Sequence, residues 1–241
     1  MKITKVILQL LFIALLVGVL GFTNTRYKNN TCKDFKITFT NSSASFVSFG
    51  DILHLLESEV DSVIGYPIAD MPLNTIENKI ENKSNIDNAE VYFSLNNCLH
   101  IDVQQKTPIA RIKLKNQDEF YMDDQGAMFD LSYNYTERVL VANGDINDSA
   151  DIHKVYLLSK FIKSNTFWKS QIVQIYFNER KEIELIPRVG NHTILLGNIV
   201  SYKEKLNKLR LFYEQGVQQT GWNKYKEINL KYKDQIVCVK K

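Results

Sequence analysis

A proline near the middle of the chain separates two runs of alternating apolar and polar residues. Ile101 and Val103 alternate with polar neighbours, which is the period-two pattern of a half-buried strand. Pro108 ends that ladder, because proline has no backbone N–H to donate and favours an extended conformation in the residue before it. Alternation resumes directly afterwards. We therefore expect the chain to pass from one sheet into another here, with Pro108 in a structural hinge.

The second run begins at Ile109 and leads through an aromatic strand to a turn. Arg111 lies on one side of this run and Ile112 on the other. The sequence Asp-Asp-Gln-Gly at 123–126 is typical of a tight turn, in which glycine takes a positive φ without strain. We assign Arg111 and Gly126 to the hinge together with Pro108.

The composition is that of a folded chain without the marks of a nucleic-acid or metal site. Of 241 residues, 44% are hydrophobic and 11% aromatic, so the chain can bury one or two cores. The net charge is only +3, and the basic residues are spread out rather than clustered as nucleic-acid binding requires. Four histidines and three cysteines lack the spacing of zinc ligands. We therefore expect no cofactor or metal, and at most one disulfide.

An apolar segment occupies Ile3 to Phe22. Its central part, 6–22, approaches the roughly 20 residues that a membrane-spanning helix needs. A cleaved signal peptide is the alternative, because Lys2 and Lys5 give the segment a basic start. The lack of a small-x-small cleavage pattern favours retention as an anchor. Charge leaves the orientation open, since basic residues flank the segment on both sides.

The residues between this segment and the proline have the pattern of a small mixed domain. An alternating strand at 34–40 precedes a helical pattern that begins at Ser48, where Asp51 completes a capping box. A second helix follows at 73–80, and an Asn-Asn turn at 96–97 joins two strands into a hairpin. The predicted order is β-α-α-β-β.

The residues after the proline predict a sheet interrupted by helices. Alternating runs predict strands at 138–142, 172–177, 183–187, 193–196 and 227–232, and apolar spacings of three and four predict helices over 152–162 and from 201 to about 216. Phe167 and Trp168 lead into the second of these strands.

The last strand is predicted to form a hairpin with the carboxyl terminus. A two-residue turn at Lys233 and Asp234 would pair Asn229 with Cys238. Alternation then places one set of apolar side chains in the core, namely Ile228, Leu230, Val237 and Val239, and leaves Ile236 and Cys238 outside beside Lys231. Outer apolar groups beside a free strand edge are suited to docking an added strand. On the pattern alone, an ordinary edge with two exposed apolar residues is the favoured interpretation.

The order of these features resembles the FtsQ/DivIB family of bacterial cell division proteins. The resemblance rests on a strand, Thr-Pro-Ile-Ala-Arg at 107–111, an aromatic strand, Asp-x-x-Gly at 123–126 and Phe129, and it extends over nearly the whole chain. Ile-Asn-Leu-Lys-Tyr at 228–232 is similar to the family's Val-Asp-Leu-Arg-Tyr strand, with Asn and Lys in place of Asp and Arg.

The resemblance implies an α+β architecture, in which one transmembrane helix and a POTRA domain precede a β-rich domain with helices packed on its sheet. The implied segments are a cytoplasmic tail at 1–5, the transmembrane helix at 6–22, a linker at 23–33, the POTRA domain at 34–107 and the β domain at 108–241. It also implies a cytoplasmic amino terminus.

The implied function is that of a non-enzymatic scaffold in the inner membrane, acting in septation with most of its chain outside the membrane. The implied partners are FtsB and FtsL at the end of the β domain, FtsK near the POTRA domain, and FtsW and FtsI within the complex. The implied partner-binding residues are Lys231, Tyr232, Lys233, Gln235, Ile236 and Cys238.

Two other functions fit parts of the pattern. A POTRA protein of envelope assembly or secretion would carry a membrane barrel of repeated amphipathic strands, which the sequence does not contain. An anchored envelope hydrolase could use Asp123 and Asp124 as a carboxylate pair. Adjacent turn residues usually point apart, whereas glycosidase carboxylates face each other across a cleft, so a structural turn is the favoured interpretation.

Overall fold

The computed structural model describes residues 11–18, 30–40, 45–217 and 221–241. Residues 11–18 form a helix, α1, and the rest of the anchor predicted at 6–22 lies outside the described residues. Within the described ranges, no helix combines the length and the apolar character needed to cross a bilayer.

The chain divides into two compact units, Met1–Gln105 and Lys106–Lys241. The division lies two residues before the predicted boundary at 107/108. After α1, the first unit contains β1 (Asp34–Thr40), α2 (Phe49–Glu59), a short 3-10 helix (Ile68–Asp70), α3 (Leu73–Glu81), β2 (Ile86–Phe93) and β3 (Cys98–Gln105).

The first unit has the predicted β-α-α-β-β order around a three-stranded sheet. The sheet order is β1-β3-β2, with β1 parallel and β2 antiparallel to the central β3. Helix α2 begins where predicted, because Ser48 and Asp51 exchange the two hydrogen bonds of a capping box. Asn97 takes a φ of 66° in the turn between β2 and β3. Both helices bury apolar residues against the sheet, among them Leu56 and Ile80.

The second unit is built on one nine-stranded sheet with helices. Its elements are β4 (Pro108–Lys113), β5 (Glu119–Asp123), β6 (Met128–Asp130), β7 (Leu140–Gly144), α4 (Ser149–Ser164), α5 (Thr166–Gln171), β8 (Ile172–Phe177), β9 (Ile183–Pro187), β10 (Thr193–Gly197), α6 (Tyr202–Phe212), a π-helical turn (Tyr213–Val217), β11 (Tyr225–Asn229) and β12 (Val237–Lys240). The strand order is β12-β11-β10-β9-β8-β7-β4-β5-β6, so β12 and β6 are the two edges.

The residues assigned to the hinge lie in β4 and in the turn after β5. Pro108 is the first residue of β4 and is buried. The Arg111 guanidinium donates to the carboxylate of Glu119 through Nε, at 3.0 Å, and through Nη2. Hydrogen bonding from Arg111, together with that from Lys113, holds the pKa of Glu119 below its ordinary value against the opposing effect of burial. Gly126 has a φ of 86°, as the turn prediction requires.

Two predicted strands are displaced, and one helix was missed. The strands predicted at 138–142 and 227–232 occupy Leu140–Gly144 and Tyr225–Asn229. The segment around Trp168, expected to lead directly into a strand, forms the six-residue helix α5. The side chain of Asn165 caps this helix by accepting from Trp168 N at 3.2 Å. A helix of six residues is too short to display a clear apolar period, so the sequence pattern did not reveal it.

A buried carboxylate fixes the start of α4. The side chain of Asp151 is only 2% exposed and accepts from Lys154 Nζ at 2.9 Å and from Lys181 Nζ at 2.7 Å. Burial acts to raise the pKa of Asp151, but the two lysine hydrogen bonds outweigh it and hold that pKa below its ordinary value. The ionised carboxylate thus joins α4 to the turn between β8 and β9.

Candidate docking edge

Strand β12 forms one free edge of the nine-stranded sheet. It pairs with β11 on one side only, in an antiparallel arrangement. The amide of Lys241 donates to Lys224 O at 3.2 Å, which directs it towards β11. Because backbone groups alternate in direction along a strand, the amides of Lys240 and Cys238 point away from β11. These are the groups that an added strand would engage.

The pairing of the last hairpin differs from the predicted one by one residue. Asn229 pairs with Val237, and Ile228 pairs with Cys238. The predicted two-residue turn at 233–234 is replaced by a seven-residue connection, 230–236. The strand ends early because Asn229 Oδ1 accepts from Lys231 N at 2.9 Å, a local turn that draws the backbone out of the ladder.

The shift reverses the two faces of β12, because a slip of one residue exchanges the sides to which side chains point. Ile236 and Cys238, predicted outside, pack against the core of the second unit. Val237 and Val239, predicted in the core, are 38% and 47% exposed. The predictions for Ile228 and Leu230 are confirmed, since both are fully buried.

The other predicted partner-binding residues lie in the connection between β11 and β12 and are exposed; they are Lys231, Tyr232, Lys233 and Gln235. Helix α6 supports this connection, because Lys208 Nζ donates to Tyr232 O at 2.7 Å and to Lys233 O at 2.5 Å. Sequence reasoning missed Lys208. A lysine on the polar face of an amphipathic helix carries no signal that distinguishes a structural contact from a solvated charge.

Lys231 makes an ion pair within the second unit. Its Nζ lies 3.1 Å from Glu182 Oε2, in the turn between β8 and β9. To reach it, the alkyl chain passes over Gly197, where a Cβ would come within 2.7 Å of Lys231 Cγ. Lys231 is therefore held along the end of the sheet by an acid of its own chain.

The outer surface near β12 combines exposed apolar groups with positive charge. The described residues 221–241 contain six lysines and only two acidic residues, Glu227 and Asp234. Lys240 and Lys241 are exposed beside Val239. This combination favours an extended ligand with apolar side chains on one face and acidic groups along its length.

A buried aromatic cluster underlies this end of the sheet. His192 Nε2 lies 2.7 Å from the hydroxyl of Tyr213, whose ring packs edge-on against Trp222 at 4.9 Å between centroids. Burial lowers the pKa of His192 and raises that of Tyr213, so both groups stay neutral near pH 7. Burial likewise raises the pKa of the Cys238 thiol. Tyr213 belongs to the core of the second unit, and Trp222 and Cys238 pack against that core.

Asp123 and a cavity beside β5 and β6 are further candidate sites in the part of the chain that the structure describes. The carboxylate of Asp123 accepts from the amides of Gln125 and Ala127 at 3.0 and 2.8 Å, which is the structural turn that the sequence favoured. A cavity of about 440 Å³ beside β5 and β6 is lined by Arg111 and Glu119, which already pair with each other. Across the described ranges, no group of three or more His, Cys, Asp or Glu side chains could hold a metal ion.

Comparison with known families identifies both parts of the chain. A family model described as "FtsQ/DivIB, C-terminal related" matches residues 107–239. A second, described as "POTRA-like domain", matches residues 30–104. No curated protein matches the chain significantly. The first match covers more than half of the chain and extends from β4 into β12. The second extends from before β1 to the residue before the end of β3.

Proposed function

Because the chain belongs to the FtsQ/DivIB family, we propose that it is a membrane-anchored scaffold of the division machinery. In this role it binds other cell division proteins and links early assembly to septal peptidoglycan synthesis. The work is done by binding surfaces, so it requires no catalytic group. Its place is the inner membrane at the division septum, with the POTRA domain at 34–107 and the β domain at 108–241 outside the cytoplasm.

The observation that carries this proposal is the free edge at β12. We propose that FtsB adds a strand to this edge and that FtsL accompanies it. The outward amides of Cys238 and Lys240 supply backbone hydrogen bonds, while Val237 and Val239 give apolar contact on the exposed face. Surrounding lysines attract acidic residues of the partner and raise its association rate. FtsK at the first unit, and FtsW and FtsI in the larger complex, are proposed on family grounds alone.

The corrected register changes the part that each predicted residue plays. Ile236 and Cys238 support the edge from the core side, and Val237 and Val239 form the contact surface. Lys231 contributes through charge once a carboxylate of the partner competes with Glu182. Tyr232, Lys233 and Gln235 border the site on the connection held by Lys208.

The test is a substitution that damages the contact surface and leaves the core intact. Val239→Asp replaces an exposed apolar side chain with an acid that repels an acidic partner. We expect the affinity for purified FtsB to fall roughly tenfold or more, which corresponds to about 1.4 kcal/mol. The matched control is Val200→Asp, at a valine that is 66% exposed in the turn before α6. Calorimetric titration measures both variants, and wild-type affinity in folded Val239→Asp protein would remove β12 from the proposal.

Imaging separates the scaffold function from the docking site. A fluorescent fusion of the wild-type chain should gather at midcell, and its depletion should block septation. Val239→Asp should still reach midcell but recruit less FtsB. A wild-type fusion spread evenly around the envelope would contradict the scaffold proposal itself.

A further inference from the structure

One edge strand of the first unit, β2, differs from β12 in the hydrogen bonding of its outward amides. Strand β2 lies at the edge of the β1-β3-β2 sheet and pairs only with β3. Edge strands expose backbone amides that can pair with another chain. Here, however, two of those amides are already occupied. Ala89 N donates to Glu81 Oε1 at 3.2 Å, and Val91 N donates to Glu77 Oε2 at 3.0 Å.

The two carboxylates can each accept from one amide of β2, because their spacing along α3 is close to the spacing of the two amides along the strand. Glu77 and Glu81 are four residues apart on α3, a rise of about 6 Å along a helix axis. Ala89 and Val91 are two residues apart on β2, an advance of about 7 Å along a strand. Helix α3 packs beside β2, so each carboxylate meets one outward amide. Val91 and Ala89 keep their side chains in the core, which fixes the direction of their amides.

We infer that Glu77 and Glu81 close the β2 edge against strand addition, and that the strand they exclude is β2 of a second copy of this chain. Every copy presents the same eight-residue edge, so it can pair antiparallel with itself. A register with Ala89 opposite its own counterpart places Asn88 across from Glu90 and avoids opposing like charges. The carboxylates occupy the donors that this ladder needs. The inference concerns the first unit and is independent of the docking edge at β12.

The test removes the acceptors and measures self-association of the purified full-length chain by sedimentation velocity. The double variant Glu77→Ala/Glu81→Ala frees both amides, and we expect its association constant to rise roughly tenfold or more over wild type. Glu57→Ala is the matched control, since Glu57 is exposed on α2 of the same unit. The variant Glu77→Gln/Glu81→Gln keeps a side-chain oxygen acceptor at each position and should behave as wild type.

Two results would overturn the inference. One is a double alanine variant that associates no more than wild type. The other is a glutamine variant that associates as strongly as the alanine variant, because charge repulsion and not amide capture would then keep copies apart. The single variant Glu81→Ala gives an independent reading by hydrogen exchange. The Ala89 amide should exchange faster while Val91 is unchanged, and unaltered protection at Ala89 would also overturn the inference.

Discussion

Gly144 allows β7 and β8 to approach each other at the point where β7 ends. It pairs with Phe177 in the parallel ladder, and the following amide, that of Asp145, donates to Phe177 O at 2.8 Å. A Cβ at position 144 would lie only 2.1 Å from Phe177 O, and the residue has a φ of 100°. Both the contact and the backbone angle therefore require glycine.

We expect Gly144→Ala to destabilise the second unit by about 3 kcal/mol, because a backbone clash adds to the cost of a positive φ. Gly126→Ala is the comparison. Its φ is also positive, but an added Cβ would meet only the ring of Tyr156 at 3.4 Å, so we expect a loss of about 1 kcal/mol. Urea unfolding measures both. Equal losses in the two variants would show that the close approach to Phe177 carries no extra cost.

At the level of elements, the sequence predicts what is encoded locally. The sequence predicts the start of helix α2 because Ser48 and Asp51 form its cap within four residues. The sequence predicts the hairpin of β2 and β3 because Asn97 accepts a positive φ in its turn. In both cases the signal and the structure that it specifies lie in the same short segment.

The final hairpin shows where local patterns stop being informative. Residues 236–239 are Ile, Val, Cys and Val, so both faces of β12 carry apolar side chains in either of the two possible registers. The register depends instead on Asn229, which turns the chain at Lys231, and on Leu230, whose amide donates to Leu195 O in β10 at 2.9 Å. The first contact is a side-chain turn, and the second joins Leu230 to a strand more than 30 positions away. A period-two pattern contains no information about either of them. The free edge was predictable, but the side chains that it presents were not.

We expect Ile236→Glu to destabilise the fold, because Ile236 packs against the core of the second unit. Burying a carboxylate there without a partner should cost on the order of 2 kcal/mol or more. Val237→Glu is the neighbouring control on the exposed face and should cost less than 1 kcal/mol. Thermal unfolding measures both variants. If Ile236→Glu melted like wild type and Val237→Glu melted early, the originally predicted register would be correct.

At the scale of the whole molecule, charge is unevenly distributed. The chain has a net charge of only +3, yet residues 221–241 contain six lysines against two acids. The remainder is therefore close to neutral or slightly acidic. The positive charge at the carboxyl-terminal edge attracts acidic groups of the partner that we propose to dock there. In the first unit, by contrast, two amides of the β2 edge are bonded to glutamates of the same unit.

The apolar segment at 6–22 is the proposed membrane anchor. We expect this segment to remain uncleaved, so mass spectrometry of washed membranes should recover peptides that include residues before Phe22. A mature chain that begins after Phe22 would contradict the prediction. Replacing Leu15 and Leu16 with arginine is the control, since each charge costs roughly 2.5–3.5 kcal/mol at the centre of a membrane helix. That variant should leave the membrane fraction and fail to gather at midcell.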